Sequence, residues 1–193
     1  DLVLHFGMTG DLQSWRTDRA TPRHARVVWD LSDHTHLAYT CQRLLGEVGH
    51  TRDRDALLAA HSLGPDALDP ALDRERFTER LAGRRGTVKA ALMNQSLLAG
   101  IGNVYSDEIL FQAGLRPGRK VDSLTAGDLR GLHRVLRHVL QTASARAPDV
   151  ADQPDGWLIH HRDQDEACPS CGESLRSSKV SGRTSYWCPA CQR

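Results

Sequence analysis

The first fifty residues alternate apolar and polar side chains in short runs, which is the pattern of half-buried β-strands. The clearest runs cover residues 2–6, 25–31 and 37–40. Turn-forming residues separate them, among them Gly10 beside Asp11. This part of the chain is therefore predicted to form a piece of a β-sheet or β-sandwich.

In the middle of the chain the spacing of apolar residues becomes helical. One helix is predicted over residues 73–81, and a second begins after Thr87, whose hydroxyl can cap it. A glycine-rich turn over residues 97–102 follows. Asn103 is expected to cap a third helix, which ends at Gly114.

A long amphipathic helix is predicted after Thr125, which stands three residues before Asp128 in the spacing of a capping box. Residues 143–165 then read as a linker with a short strand-like run at 157–160. The apolar face of the long helix consists of Leu129, Leu132, Val135, Leu136, Val139 and Leu140.

The composition is that of an ordinary globular protein, and only the distribution of charge adds to the picture. The 193 residues are 39% hydrophobic and 25% charged, with a net charge of +1. Residues 47–83 carry five Lys/Arg against eight Asp/Glu, whereas residues 84–146 carry ten against four. Such a localised basic segment indicates either a polyanionic partner or ordinary solvated charge.

Four of the five cysteines form two Cys-x2-Cys pairs, Cys168 with Cys171 and Cys188 with Cys191, separated by sixteen residues. Four thiolates at this spacing are typical of a structural zinc site without an open coordination position. Two disulfides or an iron–sulfur centre are the alternatives. Cys41 stands alone and is expected to be a free thiol.

Two segments offer groups that bind anions. Backbone N–H groups where a helix opens on Gly100, Gly102 and Asn103 can hold a phosphate, or Asn103 can serve as a helix cap alone. Between the cysteine pairs, Arg183 follows Gly182 at the expected tip of a β-hairpin. Its planar guanidinium can meet a phosphate or remain an exposed charge without a partner.

These segments together resemble the formamidopyrimidine-DNA glycosylase / endonuclease VIII family of base-excision enzymes. The run HFGMTG from His5 resembles the family's "HLGMSG", and YTCQRLLG from Tyr39 is similar to its "YTDPRRFG". Residues 89–114 resemble the family's helix-two-turns-helix signature, and residues 168–191 resemble its C-terminal zinc finger. The resemblance covers most of the chain.

The resemblance implies an α+β fold with a partial N-terminal β-sandwich, a helical helix-two-turns-helix domain and a C-terminal β-hairpin zinc finger. The expected boundaries are 1–50 for the β-sandwich part, 51–146 for the DNA-binding helices, 147–162 for a linker and 163–193 for the zinc finger. A single structural zinc ion (Zn2+) is expected on Cys168, Cys171, Cys188 and Cys191.

The resemblance also implies roles for individual residues. Met8, Arg43 and Leu45 match a trio that fills the space left by an extruded base, because chemistry on a base within a duplex requires its extrusion. Leu45 stands where the family usually has Phe. Contacts to DNA are implied for His24, Arg43, Arg84, Arg85, Lys89, Asn103 and Arg183.

The implied activity is that of a monomeric DNA glycosylase with AP-lyase activity, acting on oxidised bases of duplex DNA in the bacterial cytoplasm. The family's nucleophile is an N-terminal proline followed by a glutamate, and its amine forms a Schiff base with the sugar. Neither residue precedes Asp1. No catalytic residue is therefore expected in this chain, and the segment that carries them is expected upstream.

Other functions are compatible with parts of the sequence. A catalytically inactive zinc-finger homologue that recognises abasic or distorted DNA would keep the DNA contacts without the chemistry. A zinc-ribbon interaction protein or transcription factor would account for the cysteines but not for the Met8, Arg43 and Asn103 segments. The linker contains no obvious loop to cover an oxidised purine, so the excised lesion is left open.

Overall fold

The computed structural model describes residues 1–16, 20–146, 150–163 and 165–193. The chain divides into two compact units, Asp1–His61 and Ser62–Arg193. Strands predominate over helix in the first unit and helices over strands in the second, which confirms the α+β class. Among the described helices, none is both long enough and apolar enough to cross a membrane.

The first unit contains two small antiparallel sheets and one short helix. Its elements are β1 (Leu2–His5), β2 (Gly10–Arg16), β3 (Ala25–Asp30), β4 (Thr35–Cys41), β5 (Glu47–His50) and α1 (Arg54–Ala60). Strand β1 pairs with β5, and β4 lies between β2 and β3. Helix α1 begins after Asp53, whose carboxylate accepts the backbone N–H of Ala56 at 2.9 Å.

Strand β2 was missed by the alternation pattern because Gly10 and Asp11 look like a turn. The backbone N–H of Gly10 does close a turn on the carbonyl oxygen of Phe6 (2.7 Å), but the chain then continues at once as β2. Gly10 pairs with Cys41 at the end of β4. A turn and the start of a strand therefore share the same residue.

The second unit packs four helices around one core, followed by a C-terminal hairpin. Its helices and strands are α2 (Arg74–Leu81), α3 (Val88–Met93), α4 (Asn103–Gln112), α5 (Ala126–Ser144), β6 (Arg176–Val180) and β7 (Arg183–Trp187), with short 3₁₀ turns at Val121–Ser123, Val150–Asp152 and Leu158–His161. Phe77, Leu92 and Ile109 are fully buried in this core, and each stabilises it by about 2 kcal/mol.

The predicted face of α5 is confirmed. Leu132, Leu136, Val139 and Leu140 are buried in the core. The predicted capping box is also present: Thr125 Oγ1 accepts the Asp128 N–H (3.1 Å), and Asp128 Oδ2 accepts the Thr125 N–H (2.8 Å). The helix start was predictable because both partners lie within one turn.

Two local predictions in this unit are wrong. Gly102, not Asn103, is the N-cap of α4, and Asn103 is its first helical residue. Residues 157–160 do not form a strand, because Leu158–His161 forms a 3₁₀ turn instead. The buried side chain of Leu158 packs with Phe111 and Cys188, between α4 and the cysteine-bearing hairpin. The helices and the hairpin belong to one compact unit, and residues 147–149 of the expected linker lie outside the described residues.

Glu108 fixes this 3₁₀ turn to α4. Its Oε2 accepts the backbone N–H of Ile159 at 2.9 Å, and its Oε1 accepts an N–H of Gln112 at 2.8 Å. Burial raises the pKa of Glu108 to about 6, although both hydrogen bonds oppose the shift. The folded chain therefore holds this proton more tightly than the unfolded chain does.

This raised pKa predicts a pH-dependent contribution to stability. The contribution is fully present below the ordinary pKa of 4.5 and is lost as pH rises through about 6. Between pH 4.5 and pH 7 the free energy of unfolding should fall by about 2 kcal/mol more in the wild type than in Glu108→Gln. Urea unfolding at several pH values measures this difference. The exposed Glu79→Gln serves as the control, and parallel pH profiles for the wild type and Glu108→Gln would contradict the assignment.

Candidate functional site

In the first unit, the two turns singled out from the sequence lie side by side. The turn after β1 carries Met8, and the turn after β4 carries Arg43 and Leu45. The backbone N–H of Arg43 donates to Thr9 Oγ1 (3.1 Å), and Arg43 Nη1 lies 3.6 Å from Met8 Sδ. Residues distant in sequence are thus brought to one surface.

Two glycines allow these turns to meet. A Cβ atom on Gly7, which has φ +58°, would lie 2.5 Å from the carbonyl oxygen of Leu45. A Cβ atom on Gly46 would lie 1.8 Å from Tyr39 Oη, which donates a hydrogen bond to the carbonyl oxygen of His5 (2.8 Å). Any larger residue would force the turns apart, so glycine is required at both positions.

The side chains on this surface project into solvent although two of them are apolar. Met8 is 69% exposed and Leu45 is 51% exposed, and Arg43 is exposed beside them. Neighbouring exposed apolar side chains mark a contact surface more often than isolated ones do. We define Met8, Arg43 and Leu45 as the protruding trio.

His24 lies at the start of β3 in the same unit. It adopts a left-handed backbone conformation (φ +63°), and its carbonyl oxygen accepts the N–H of Cys41 at 3.1 Å. The residue is half-buried. A contact between its imidazole and DNA stays a prediction.

In the second unit, Asn103 and Arg183 lie where the start of α4 meets β7. Asn103 Nδ2 donates to the carbonyl oxygen of Thr184, the residue after Arg183, at 3.1 Å. Asn103 Oδ1 is buried without a hydrogen-bond partner among the described residues. The two-residue turn of Ser181 (φ +49°) and Gly182 (φ +75°) reverses the hairpin and leaves Arg183 exposed at its tip. We call Asn103 and Arg183 the polar edge.

Lys89 lies behind this edge and not on its surface. It is fully buried, and its Nζ is 2.6 Å from Asp107 Oδ1. Burial lowers the pKa of Lys89, Asp107 opposes this shift, and the nearby Arg162 and Arg183 add to it. The ammonium therefore faces a carboxylate of its own chain, and any effect of Lys89 on a bound phosphate is indirect.

Arg84 and Arg85 are exposed between α2 and α3. Arg84 Nε donates to the carbonyl oxygen of Arg80 at 3.3 Å. Both arginines precede α3, whereas Asn103 follows the turn beyond its far end. Lys89, in the first turn of α3, lies behind the polar edge, so the two arginines are close to it along the chain, and their contact with DNA stays a prediction.

The four clustered cysteines could hold a metal ion. Cys168 Sγ lies 3.9 Å from Cys191 Sγ, and Cys171 Sγ lies 3.5 Å from Cys188 Sγ. All four sulfur atoms lie within 4.8 Å of one another. Four thiolates around a zinc ion with bonds of about 2.3 Å would be about 3.8 Å apart, whereas a disulfide needs about 2 Å. The cluster fits a tetrahedral metal ion and not two disulfides, and Cys41 is a buried free thiol.

Asp107 was not identified from the sequence, although it is the most highly connected polar side chain near the polar edge. Its carboxylate contacts Lys89, Arg162 and the β7 strand. One signal was available: Asp107 and Glu108 form an acidic pair directly before the apolar residues Ile109, Leu110 and Phe111 of the predicted helix. Acidic residues are rarely buried without partners, so the pair indicated distant cations or N–H groups.

Comparison with known proteins decides the family. The profile of the formamidopyrimidine-DNA glycosylase H2TH domain matches residues 63–151, and that of its N-terminal domain matches residues 1–48. A formamidopyrimidine-DNA glycosylase of Symbiobacterium thermophilum is 36% identical over 208 residues, covering 99% of this chain and 67% of the relative. One from Desulforamulus reducens is 32% identical, covering 100% of this chain and 74% of the relative. The chain belongs to the formamidopyrimidine-DNA glycosylase family.

Solved structures of formamidopyrimidine-DNA glycosylases share this fold. The complex between Lactococcus lactis Fpg and DNA with an abasic site has a TM-score of 0.84 at 25% identity, covering 100% of this chain and 74% of that chain. A structure of MutM with DNA containing carbocyclic 8-oxo-G has a TM-score of 0.84 at 26% identity, with the same coverage. Both relatives were solved bound to DNA that contains a modified site.

Proposed function

We propose that this chain supplies the DNA-binding surfaces of a DNA glycosylase with AP-lyase activity that excises oxidised bases from duplex DNA. The observation that carries the proposal is the protruding trio. A protein that held only the DNA backbone would have no use for two exposed apolar side chains beside an arginine. Side chains of this shape suit the interior of a base stack.

Extrusion of a nucleotide gives the protruding trio its role. Flipping a base out of the duplex costs a few kcal/mol, and the cost is lowest where the base is damaged, mismatched or absent. Met8 and Leu45 fill the space that the base leaves, and they offset part of the lost stacking. Arg43 lies beside them and brings the N–H groups of its guanidinium to the same space.

The polar edge binds the backbone of the DNA. Arg183 offers a planar fork of N–H groups to a phosphate, and the first N–H groups of α4 offer further donors at the positive end of the helix dipole. Such contacts hold the duplex without reading its sequence. Arg84 and Arg85 add further positive charge in the second unit, and Lys89 acts on the polar edge from behind. In the first unit, His24 is proposed to make a DNA contact of its own.

The bond-breaking step requires an amine nucleophile, which in the family is the N-terminal proline, followed by a glutamate. We assign neither role to a residue of this chain. Its residues bind the duplex, hold the nucleotide extruded and bend the backbone. The protein acts as a monomer in the cytoplasm of a bacterium, a compartment whose reducing conditions suit free thiols and thiolate-bound metal.

Zinc is the metal that fits the four cysteines. Sulfur ligands alone, in a tetrahedral set with no open position, are typical of structural zinc. Cys168, Cys171, Cys188 and Cys191 would hold the ion, which supplies no chemistry and fixes the base of the β6–β7 hairpin. The tip of the hairpin then carries Arg183.

The metal proposal predicts a single zinc ion per chain by elemental analysis. Cys171→Ser should lose the zinc and unfold the hairpin, while α5 and the rest of the helical core keep their circular dichroism. Cys41→Ser, the matched control, should keep both the zinc and the fold. Iron in place of zinc, or two disulfides found by mass spectrometry in reduced protein, would contradict the proposal.

The protruding trio predicts a preference for duplex DNA that contains an abasic-site analogue over intact duplex. Leu45→Ala and Met8→Ala should each weaken this preference about tenfold, because each removes an apolar side chain that is buried only when the stack is open. Binding to intact duplex should change little, since neither side chain touches a phosphate. Fluorescence anisotropy with both duplexes measures the ratio.

Leu44→Ala is the control for this measurement, because Leu44 is 68% exposed and adjacent to the trio without belonging to it. Equal affinity of the wild type for the two duplexes would contradict the assignment. Borohydride trapping on abasic DNA by the natural gene product separates the enzyme from the alternative, a catalytically inactive homologue that binds abasic or distorted DNA. A protein that prefers abasic duplex but forms no borohydride-trapped adduct with it would favour the inactive homologue.

A further inference from the structure

The carboxylate of Asp107 has more polar partners than a helix residue ordinarily has. It is fully buried near the middle of α4. Lys89 Nζ from α3 and Ser185 Oγ from β7 each donate to Oδ1 at 2.6 Å. Arg162 Nη1 and the backbone N–H of Tyr186 donate to Oδ2, the latter at 3.3 Å. Three segments from distant parts of the sequence therefore meet on one side chain.

Only an ionised carboxylate accepts all four of these bonds. Both of its oxygen atoms accept hydrogen bonds. An asparagine amide at this position would instead turn its own NH2 group toward two of the four donors. The cations are also exceptionally enclosed, since Lys89 is fully buried and the Arg162 side chain is 14% exposed. The Arg162 guanidinium lies 5.3 Å from the centre of the Tyr186 ring, which holds it in place.

The partners of Asp107 lie on the same two elements that form the polar edge. Asn103 precedes Asp107 by four residues, so both lie on one face of α4, about one turn apart. Arg183 precedes Ser185 by two residues on β7, so the two side chains lie on the same face of that strand. The bond from Asn103 to the carbonyl oxygen of Thr184 adds a second link between the elements.

We propose that Asp107 is a positioning residue for phosphate binding. Its bonds to Ser185 and Tyr186 fix the position of β7 along the axis of α4. Arg183 and Asn103 can then contact the same phosphate. The two cations that it holds leave one positive charge in excess behind the polar edge, and this charge adds to the attraction for the phosphate. The inference rests on the proposed function, because it assigns a role within the proposed phosphate contact.

A purely structural role for Asp107 makes a different prediction. If the carboxylate only stabilised the unit, its loss would lower stability and affinity without changing the contribution of Arg183. If it positions Arg183, the two residues act as one unit, and their effects on DNA binding are not additive. The salt dependence also differs, because a lost phosphate contact lowers the slope of affinity against salt by about one.

The test is a double-mutant cycle on duplex DNA that contains an abasic-site analogue, with zinc content and circular dichroism measured for each variant. Arg183→Ala should weaken binding about tenfold in the wild type, and less than about twofold in the Asp107→Asn background. Asp107→Asn alone should lower the salt slope by about one, as Arg183→Ala does. Glu108→Gln alters the neighbouring buried carboxylate, which bonds to Ile159 and Gln112 and has no hydrogen bond to β7 among the described contacts, so it should leave affinity and slope unchanged.

Ser185→Ala provides a second variant that keeps every charge, for use if Asp107→Asn does not fold. It should also reduce the effect of Arg183→Ala. A tenfold effect of Arg183→Ala in every background, with an unchanged salt slope, would overturn the positioning role while leaving the proposed function intact. No effect of Arg183→Ala in the wild type would instead overturn the proposed phosphate contact itself.

Discussion

The buried carboxylate of Asp107, with Lys89 and Arg162 against it, is the interaction on which the arrangement of the second unit depends. A buried ion pair adds little to stability on its own, since removing both charges from water costs about as much as their attraction returns. The contribution of this ion pair is instead to fix the position of β7 relative to α4. Hydrogen bonds to Ser185 and Tyr186 fix β7 on α4, whereas apolar contacts such as those of Leu158 would tolerate sliding.

The two units carry surfaces of different chemical character, one polar and one largely apolar. The polar edge of the second unit is held by buried charges and a hairpin, and its donors suit a phosphate. The protruding trio of the first unit is held by close backbone contacts at Gly7 and Gly46, and its apolar tips suit a base stack. A glycosylase needs both, because it must grip the backbone while it keeps one nucleotide out of the duplex.

Features that depend on residues close together in the sequence were predictable, whereas contacts between residues distant in the sequence were not. The capping box at Thr125 and the apolar face of α5 involve residues a few positions apart, and the cysteine spacing carries its own chemistry. The donors to Asp107 lie 18, 55 and 78 residues away for Lys89, Arg162 and Ser185, so no sequence window contains them. The resemblance implied a DNA contact for Lys89, and the short run around it does not reveal that the side chain is fully buried.

The central claim, that Asp107 holds β7 on α4, is tested most directly by amide hydrogen exchange in the zinc-loaded protein. The Tyr186 N–H donates to the Asp107 carboxylate, so its protection reports on this single contact. In Asp107→Asn the Tyr186 amide should lose most of its protection, while the amide of Leu136 in the core of α5 should keep it. Equal protection of Tyr186 in the two proteins would contradict the account.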